Sequence, residues 1–314
     1  MLSLGRKKRD GWLAIGFSPD RIDVAHVLRP VGGKPRVMRL ESYARSTDDA
    51  AALTVLGKKK ELGQYRCTTL LAPGAYQVLQ VESPDVPPED MREAVRWSLK
   101  DALEFPVESA TVDIATIPVS AGAGRRPPLL VVAADNGVVW PRMQAFDASR
   151  LDLAAIDVPE MAQRNIAALV EDANRGLAML SFDESGGLLT FTFQGELCVG
   201  RRIEVSSSQL AGADEERRGQ LFERIGLELQ RSLDNFERQY TSISISKIVL
   251  GPVPFAPGLL EHLREYVYLP VVGLDLTSLL DCSGVPELSQ PALQAERLAV
   301  IGAALRDESQ GARA

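Results

Sequence analysis

Short apolar runs broken by turn residues open the chain. Trp12 to Phe17 and Arg21 to Leu28 flank Ser18-Pro19-Asp20, residue types that favour a tight reversal, and together they predict a β-hairpin. Val37 to Tyr43 predicts a third strand. A second pair, Leu177 to Phe182 and Leu188 to Phe193, brackets Asp183-Glu184-Ser185-Gly186-Gly187. There Leu189, Phe191 and Phe193 alternate with Thr190 and Thr192 at the two-residue period of a strand. The hairpin theme thus occurs twice, about half a chain apart.

Between and after the hairpins the period changes. Pro87-Pro88-Glu89-Asp90 supplies proline and acidic residues suited to a helix start, and Met91, Val95, Leu99, Ala102 and Leu103 recur at three- and four-residue spacing. A helix is expected through Asp101 and beyond, ended by Pro106. Ala110 to Val119 reads as extended, Ala121 to Pro128 as an exposed loop and Leu129 to Ala133 as a buried strand. A helix from Asp135 toward Ser149, a strand Leu153 to Val158 and a helix Glu160 to Asn174 follow. Leu221, Ile225, Leu229, Leu233 and Phe236 stripe a long helix, Glu215 to Tyr240. Lys247 to Leu250 predicts a strand, Pro257 to Tyr266 a helix, and Leu298 to Leu305 a closing apolar helix. Alternating strands and helices predict an α/β protein, and two hairpin-plus-helix halves predict two related subdomains with a cleft between them.

Composition narrows the function classes. The 314 residues, 45% hydrophobic and 25% charged, can bury two cores. A net charge of -7 argues against a nucleic-acid partner, which needs clustered Lys and Arg to displace counterions. Cys67, Cys198 and Cys282 lie far apart and form no Cys-x-x-Cys pair, which fits a reducing compartment. No window approaches the roughly 20 apolar residues that span a bilayer, so a cytoplasmic protein is expected. Arg6 to Arg9 could meet anionic headgroups or form a solvated terminus.

Catalytic constellations are scarce. The two histidines, His26 in a predicted strand and His262 on a predicted helix, have no nucleophile motif beside them, and no ligand cluster suits zinc. Gly122 and Gly124 do not open a helix after a strand, so they are not a dinucleotide fingerprint. Trp97, Phe105 and Pro106 beside Arg92 and Arg96 describe either core packing or a groove for an extended peptide with apolar anchors.

The run Glu93 to Glu108 (Glu93-Ala94-Val95-Arg96-Trp97-Ser98-Leu99-Lys100-Asp101-Ala102-Leu103-Glu104-Phe105-Pro106-Val107-Glu108) resembles the helix and Phe-Pro turn of the actin-like PilM proteins of type IV pilus assembly. The MshI branch of mannose-sensitive haemagglutinin (MSHA) pilus biogenesis is most similar, and the cytoplasmic part of the type II secretion GspL proteins is a more distant relative. Ile156 to Glu160, Leu229 to Phe236 and Val300 to Arg306 support the resemblance, which covers roughly Gly11 to Arg306.

The resemblance implies an actin-like ATPase fold of two ribonuclease-H-like halves, residues 11–158 and 159–306. It also implies an inserted peptide-binding subdomain at about 84–134, with flexible tails at 1–10 and 307–314. Family members that bind ATP carry two Asp-x-Gly loops and a Gly-Gly adenosine loop, because Mg²⁺ wants hard oxygen ligands and phosphates need close backbone approach. Here Ala14 holds the first acidic position, with Gly16 and Ser18 kept. Ser181 holds the second, with Asp183 in place of glycine. Pro252 follows Gly251 in the adenosine loop and removes an amide donor.

Gly16, Ser18, Ser181 and Gly251 are therefore expected to mark a vestigial nucleotide site, with no cofactor, no metal and no enzymatic turnover. The resemblance further implies a scaffold that docks the cytoplasmic N-terminal peptide of a PilN-like bitopic membrane protein through Arg92, Arg96, Trp97, Phe105 and Pro106. It would lie peripheral to the inner membrane, within reach of the assembly ATPase or the polytopic platform protein. The alternative is a weak ATP-binding switch of pilus or type II secretion assembly.

Overall fold

The computed structural model describes residues 8–45, 48–118 and 126–307. Residues 1–7, 46–47, 119–125 and 308–314 lie outside the described residues, and with them most of the expected tails 1–10 and 307–314 and part of the expected loop Ala121 to Pro128. The first half opens with β1 (Trp12–Phe17), β2 (Arg21–Leu28), β3 (Arg36–Ala44), α1 (Asp49–Gly57) and β4 (Arg66–Leu70). An excursion follows through β5 (Gln77–Val81), α2 (Met91–Ser98), β6 (Ala110–Thr116) and β7 (Leu129–Asp135), and the chain returns by α3 (Asn136–Ala148) and β8 (Asp152–Asp157). After α4 (Pro159–Ala167) the second half runs β9 (Gly176–Asp183), β10 (Gly186–Phe193), β11 (Glu196–Ile203), α5 (Ser207–Ala211), α6 (Glu215–Gln239), β12 (Ile245–Leu250), α7 (Leu259–Tyr266), β13 (Val271–Gly273) and α8 (Leu276–Leu279). It ends with α9 (Pro291–Ala304).

The two halves repeat one sheet. Strand orders β3-β2-β1-β4-β8 and β11-β10-β9-β12-β13 are the same pattern, an antiparallel three-stranded meander continued by two parallel strands. Local chemistry explains the reversals. Asp183 accepts the Ser185 amide at 2.7 Å and Gly186 takes φ +128°, while Gln194 and Gly195 both take positive φ between β10 and β11, as a two-residue hairpin turn of right-handed twist requires. Behind the second sheet lies α6, with Phe236 stacked on Phe191 at 4.6 Å between ring centroids.

The third sheet, β5-β7-β6, has two buried faces. Val95 and Leu99 on and just after α2 cover Val112, Leu129, Val131 and Ala133 on one side. On the other, Leu130 and Ile117 join the core of the second half, with Val78 and Ala115 packed against it. The segment that builds this sheet starts with Gln77–Val81, ahead of residue 84.

Some expected elements end differently. The helix from Met91 stops at Ser98, because Ala102 bonds back only three residues, to Leu99, and the tighter turn leads into Pro106. The helix from Glu160 stops at Ala167 with the same tightening at Leu169 and Val170. The final helix starts at Pro291, not Leu298, as proline at the first helical position permits.

Candidate functional site

Helices α4 and α9 cross between the two halves, and the candidate cleft lies around them. The crossing is close because Gly302 on α9 has no side chain; a Cβ there would clash with the Ala162 carbonyl oxygen, and Asn165 Nδ2 donates to the Gly302 carbonyl at 2.9 Å. Helix α4 is buried nearly all round, so its polar side chains need internal partners. Gln163 Nε2 donates to Met179 O at 2.8 Å, Leu188 O at 3.1 Å and Thr190 Oγ1 at 2.9 Å.

The four nucleotide-site candidates fall on this framework. Gly16, near the end of β1, lies against Val300 of α9, 3.6 Å from where its Cβ would be. Gly251 follows β12, and a Cβ there would meet Ser181 Cβ at 3.1 Å and Leu298 Cδ2 at 3.4 Å; its amide donates to Leu180 O at 2.7 Å. Gly16, Ser181 and Gly251 thus converge on residues 298–300 of α9, whose aliphatic side chains sit against both glycines. The Ser181 hydroxyl donates to Gln163 Oε1 at 2.5 Å. Ser18 is at the tip of the first hairpin, its amide on Arg21 O at 2.9 Å and its carbonyl accepting from Arg45 Nη1 at 2.7 Å. Asp183, at the tip of the second hairpin, has its carboxyl raised above the ordinary range by desolvation.

Buried carboxylates around the crossing are matched by guanidinium groups. Asp23 on β2 accepts from Arg297 Nη1 of α9 at 3.1 Å, Arg21 Nε at 3.2 Å and Ser42 Oγ at 2.7 Å. Asp157 accepts from Arg306 Nη1 at 2.8 Å. Glu160, in the first turn of α4 where free amides favour negative charge, accepts from Tyr76 Oη at 2.5 Å and from Arg202 Nη2 at 3.3 Å. Burial, and then the adjacent Glu160, push the Tyr76 hydroxyl far above its usual range, so it remains a donor. Burial works against the Arg202 cation, but Glu160 and Tyr76 outweigh it and its pKa rises. These acids lie on separate elements, and among the described residues no three His, Cys, Asp or Glu side chains gather to hold a metal ion. The segments Ile156 to Glu160 and Val300 to Arg306, which carry the resemblance, hold Asp157, Glu160 and Arg306, but the pairing of these acids with guanidinium groups distant in sequence is not legible there.

The peptide-groove candidates are partly assembled. Trp97 is 46% exposed on the face of α2 away from Val95, outside the core, and the Arg96 guanidinium lies 5.5 Å from its ring centroid. Arg92 reaches Asp113 of β6 at 3.3 Å. Phe105 packs partly buried with the core between α2 and the third sheet, and Pro106 is exposed where the chain enters the turn Val107–Ser109. Arg96 and Trp97 are therefore together, whereas Phe105 belongs to the inner side.

A chain of the PilM-PilN type IV pilus biogenesis complex superposes on 95% of this chain and 98% of its own length, with a TM-score of 0.72 and 20% identity. A Bacteroides thetaiotaomicron protein of actin-like ATPase fold and unknown function superposes over 92% and 99%, with a TM-score of 0.51 and 12% identity. The fold is actin-like. The cytoplasmic domain of EpsL, an inner-membrane component of the type II secretion system of Vibrio cholerae, matches 65% of this chain and 76% of its own, with a TM-score of 0.43 and 16% identity. No family model matches the sequence, and no curated protein matches it. Among the described residues no helix is long and apolar enough to cross a membrane.

Proposed function

We propose that this protein is a non-catalytic assembly component of a type IV pilus platform of MSHA type. In this reading it docks the cytoplasmic N-terminal peptide of a PilN-like membrane protein and is held at the inner membrane from the cytoplasmic side. The observation that carries the non-catalytic part is the fate of the cleft acids. Asp23, Asp157 and Glu160 are each engaged by an arginine, Ser181 is turned onto Gln163, and α9 leans on the two glycines that a phosphate would need open. A magnesium nucleotide asks for uncommitted carboxylates beside a bare backbone. The docking part is supported by the likeness to a chain of the PilM-PilN complex over 95% of this chain and by the exposed Trp97 with the Arg96 guanidinium against its ring, an anchor type that peptide-binding surfaces favour.

Calorimetry with the synthetic N-terminal peptide of a PilN-like protein from the same source tests the docking. Binding to the parent chain, weakened at least about tenfold in Trp97→Ala at unchanged melting temperature, is the expected result. No binding to the parent chain sinks the partner; equal binding by the variant moves the groove elsewhere.

The convergence of Gly16, Ser181 and Gly251 keeps a second reading, a weak ATP-dependent switch, open to test by nucleotide titration.

A further inference from the structure

Basic side chains distant in sequence meet at one pole of the first half. Lys58, Lys59 and Lys60 follow α1 and enter a compact turn in which the Leu62 amide bonds Lys59 O at 2.9 Å and the Tyr65 amide bonds Leu62 O at 3.2 Å. The N-terminal segment is laid on that turn. The Arg9 amide donates to Gln64 O at 2.9 Å, Lys8 Nζ to Gly63 O at 3.2 Å and Arg9 Nη1 to Tyr65 Oη at 3.3 Å. The loop after α3 closes on the same turn from the other side. Gly57 has no room for a Cβ against the Ser149 carbonyl oxygen, and a Cβ on Gly63 would stand 3.1 Å from Arg150 O.

Lys8, Arg9, Lys58, Lys60 and Arg150 are exposed there, and Lys59 lies half-buried 4.5 Å from the Tyr43 ring centroid. Their acidic neighbours along the chain are Asp10, Glu61, Asp147 and Asp152, the last paired with Lys8 at 3.0 Å. On a chain of net charge -7 this pole has the opposite sign to the molecule as a whole.

We propose that the basic pole formed by Lys8, Arg9, Lys58, Lys60 and Arg150 docks on the anionic headgroups of a phospholipid bilayer. A flat anionic surface meets only the pole that faces it, and acidic groups farther away than about 8 Å are screened at physiological salt. A long nucleic acid would have to run on over the acidic flanks. It would also find no open aromatic face for its bases, because Tyr65 is buried beneath Arg9 and Tyr43 is capped by Lys59. The contact needs no peptide partner, so its success or failure is separate from that of the function proposed above.

Flotation of the purified full chain with phosphatidylglycerol-containing vesicles, against pure phosphatidylcholine vesicles, tests it. Binding to the anionic vesicles alone is expected at about 0.05 M salt, with loss at about 0.5 M. Replacing Lys58→Ala, Lys60→Ala and Arg150→Asn together should lower the partition coefficient about 100-fold, at about fivefold per basic residue. Asn is chosen at 150 because the backbone there is left-handed, φ +57°. The same charge change made on α6, as Arg217→Ala, Arg224→Ala and Arg231→Ala, should leave binding unaltered. The proposal fails if anionic vesicles are not bound, if neutral vesicles bind equally, or if both triple variants lose affinity alike. It also fails if single-stranded DNA, and not vesicles, is retained through the pole. Melting temperatures equal to the parent's confirm that each variant is folded.

Discussion

Arg202 of β11 donates to Glu160 of α4 across 3.3 Å, so a cation from the second half closes on a carboxylate at the head of the helix that joins the halves. Glu160 is 5% exposed, and Arg202 retains some solvent contact. Removing the cation would leave a buried carboxylate with Tyr76 as its remaining side-chain donor among the bonds described above. Arg202→Ala should therefore destabilise the fold by about 2–4 kcal/mol in urea titration. The double variant Glu160→Gln with Arg202→Ala should recover part of that loss, because no uncompensated charge is then buried. An Arg202→Ala chain as stable as the parent would show that the pair contributes nothing.

The nucleotide readings separate in a thermal-shift titration. A ligand that binds only the native state raises the melting temperature with the logarithm of its concentration. With Asp23, Asp157 and Glu160 engaged by arginines, no shift is expected at millimolar Mg-ATP. A clear, saturable rise would favour the switch, and loss of that rise in Gly251→Val would place the nucleotide between Ser181 and Leu298.

Gly302 is the point of closest approach between α4 and α9. Even the methyl of Gly302→Ala would press on the Ala162 carbonyl oxygen, a backbone atom that cannot swing aside. A loss of about 1–3 kcal/mol is expected, whereas Gly219→Ala on α6, where an added Cβ meets nothing within 4 Å, should gain about 0.5–1 kcal/mol from helix propensity alone. Equal stability of Gly302→Ala would mean that the crossing is looser than drawn.

His26 gives the fold an acid-side sensitivity. It is buried beside Tyr65 with Nε2 donating to Asp10 O at 3.0 Å, and desolvation lowers its pKa below the ordinary 6.5. The unfolded chain then binds the proton more readily than the native one. This contribution to stability is complete above about pH 6.5 and is lost as pH falls from there toward the native pKa. Unfolding free energy measured from pH 7.5 down to 5 should fall less steeply in His26→Asn than in the parent; parallel slopes would remove His26 from the account.

The hairpins were legible because alternation and turn residues coincide at β1–β2 and β9–β10. Strand β4 was not, since its sequence Arg66-Cys67-Thr68-Thr69-Leu70 carries two threonines that are wholly buried, one of them donating from Oγ1 to Ile15 O at 2.8 Å. Strand β11 hides in the same way behind Glu196, Arg201 and Arg202, and needs Gly200 because Glu160 Cγ comes within 2.9 Å of where a Cβ would stand. The resemblance pointed to Gly16, Ser18, Ser181 and Gly251, but not to the side chains that lie against them. Asp23 and Arg297 are 274 residues apart, and only the crossing of α9 over the first sheet brings them together. Helical spacing alone does not say which face of α2 the third sheet covers, so the sequence does not decide between core and surface for Trp97.

That third sheet is clad on both sides, by α2 and by the core of the opposite half. Swinging the halves apart would bare Leu130 and Ile117 to water, so any opening of the two lobes carries the added cost of exposing that apolar seam.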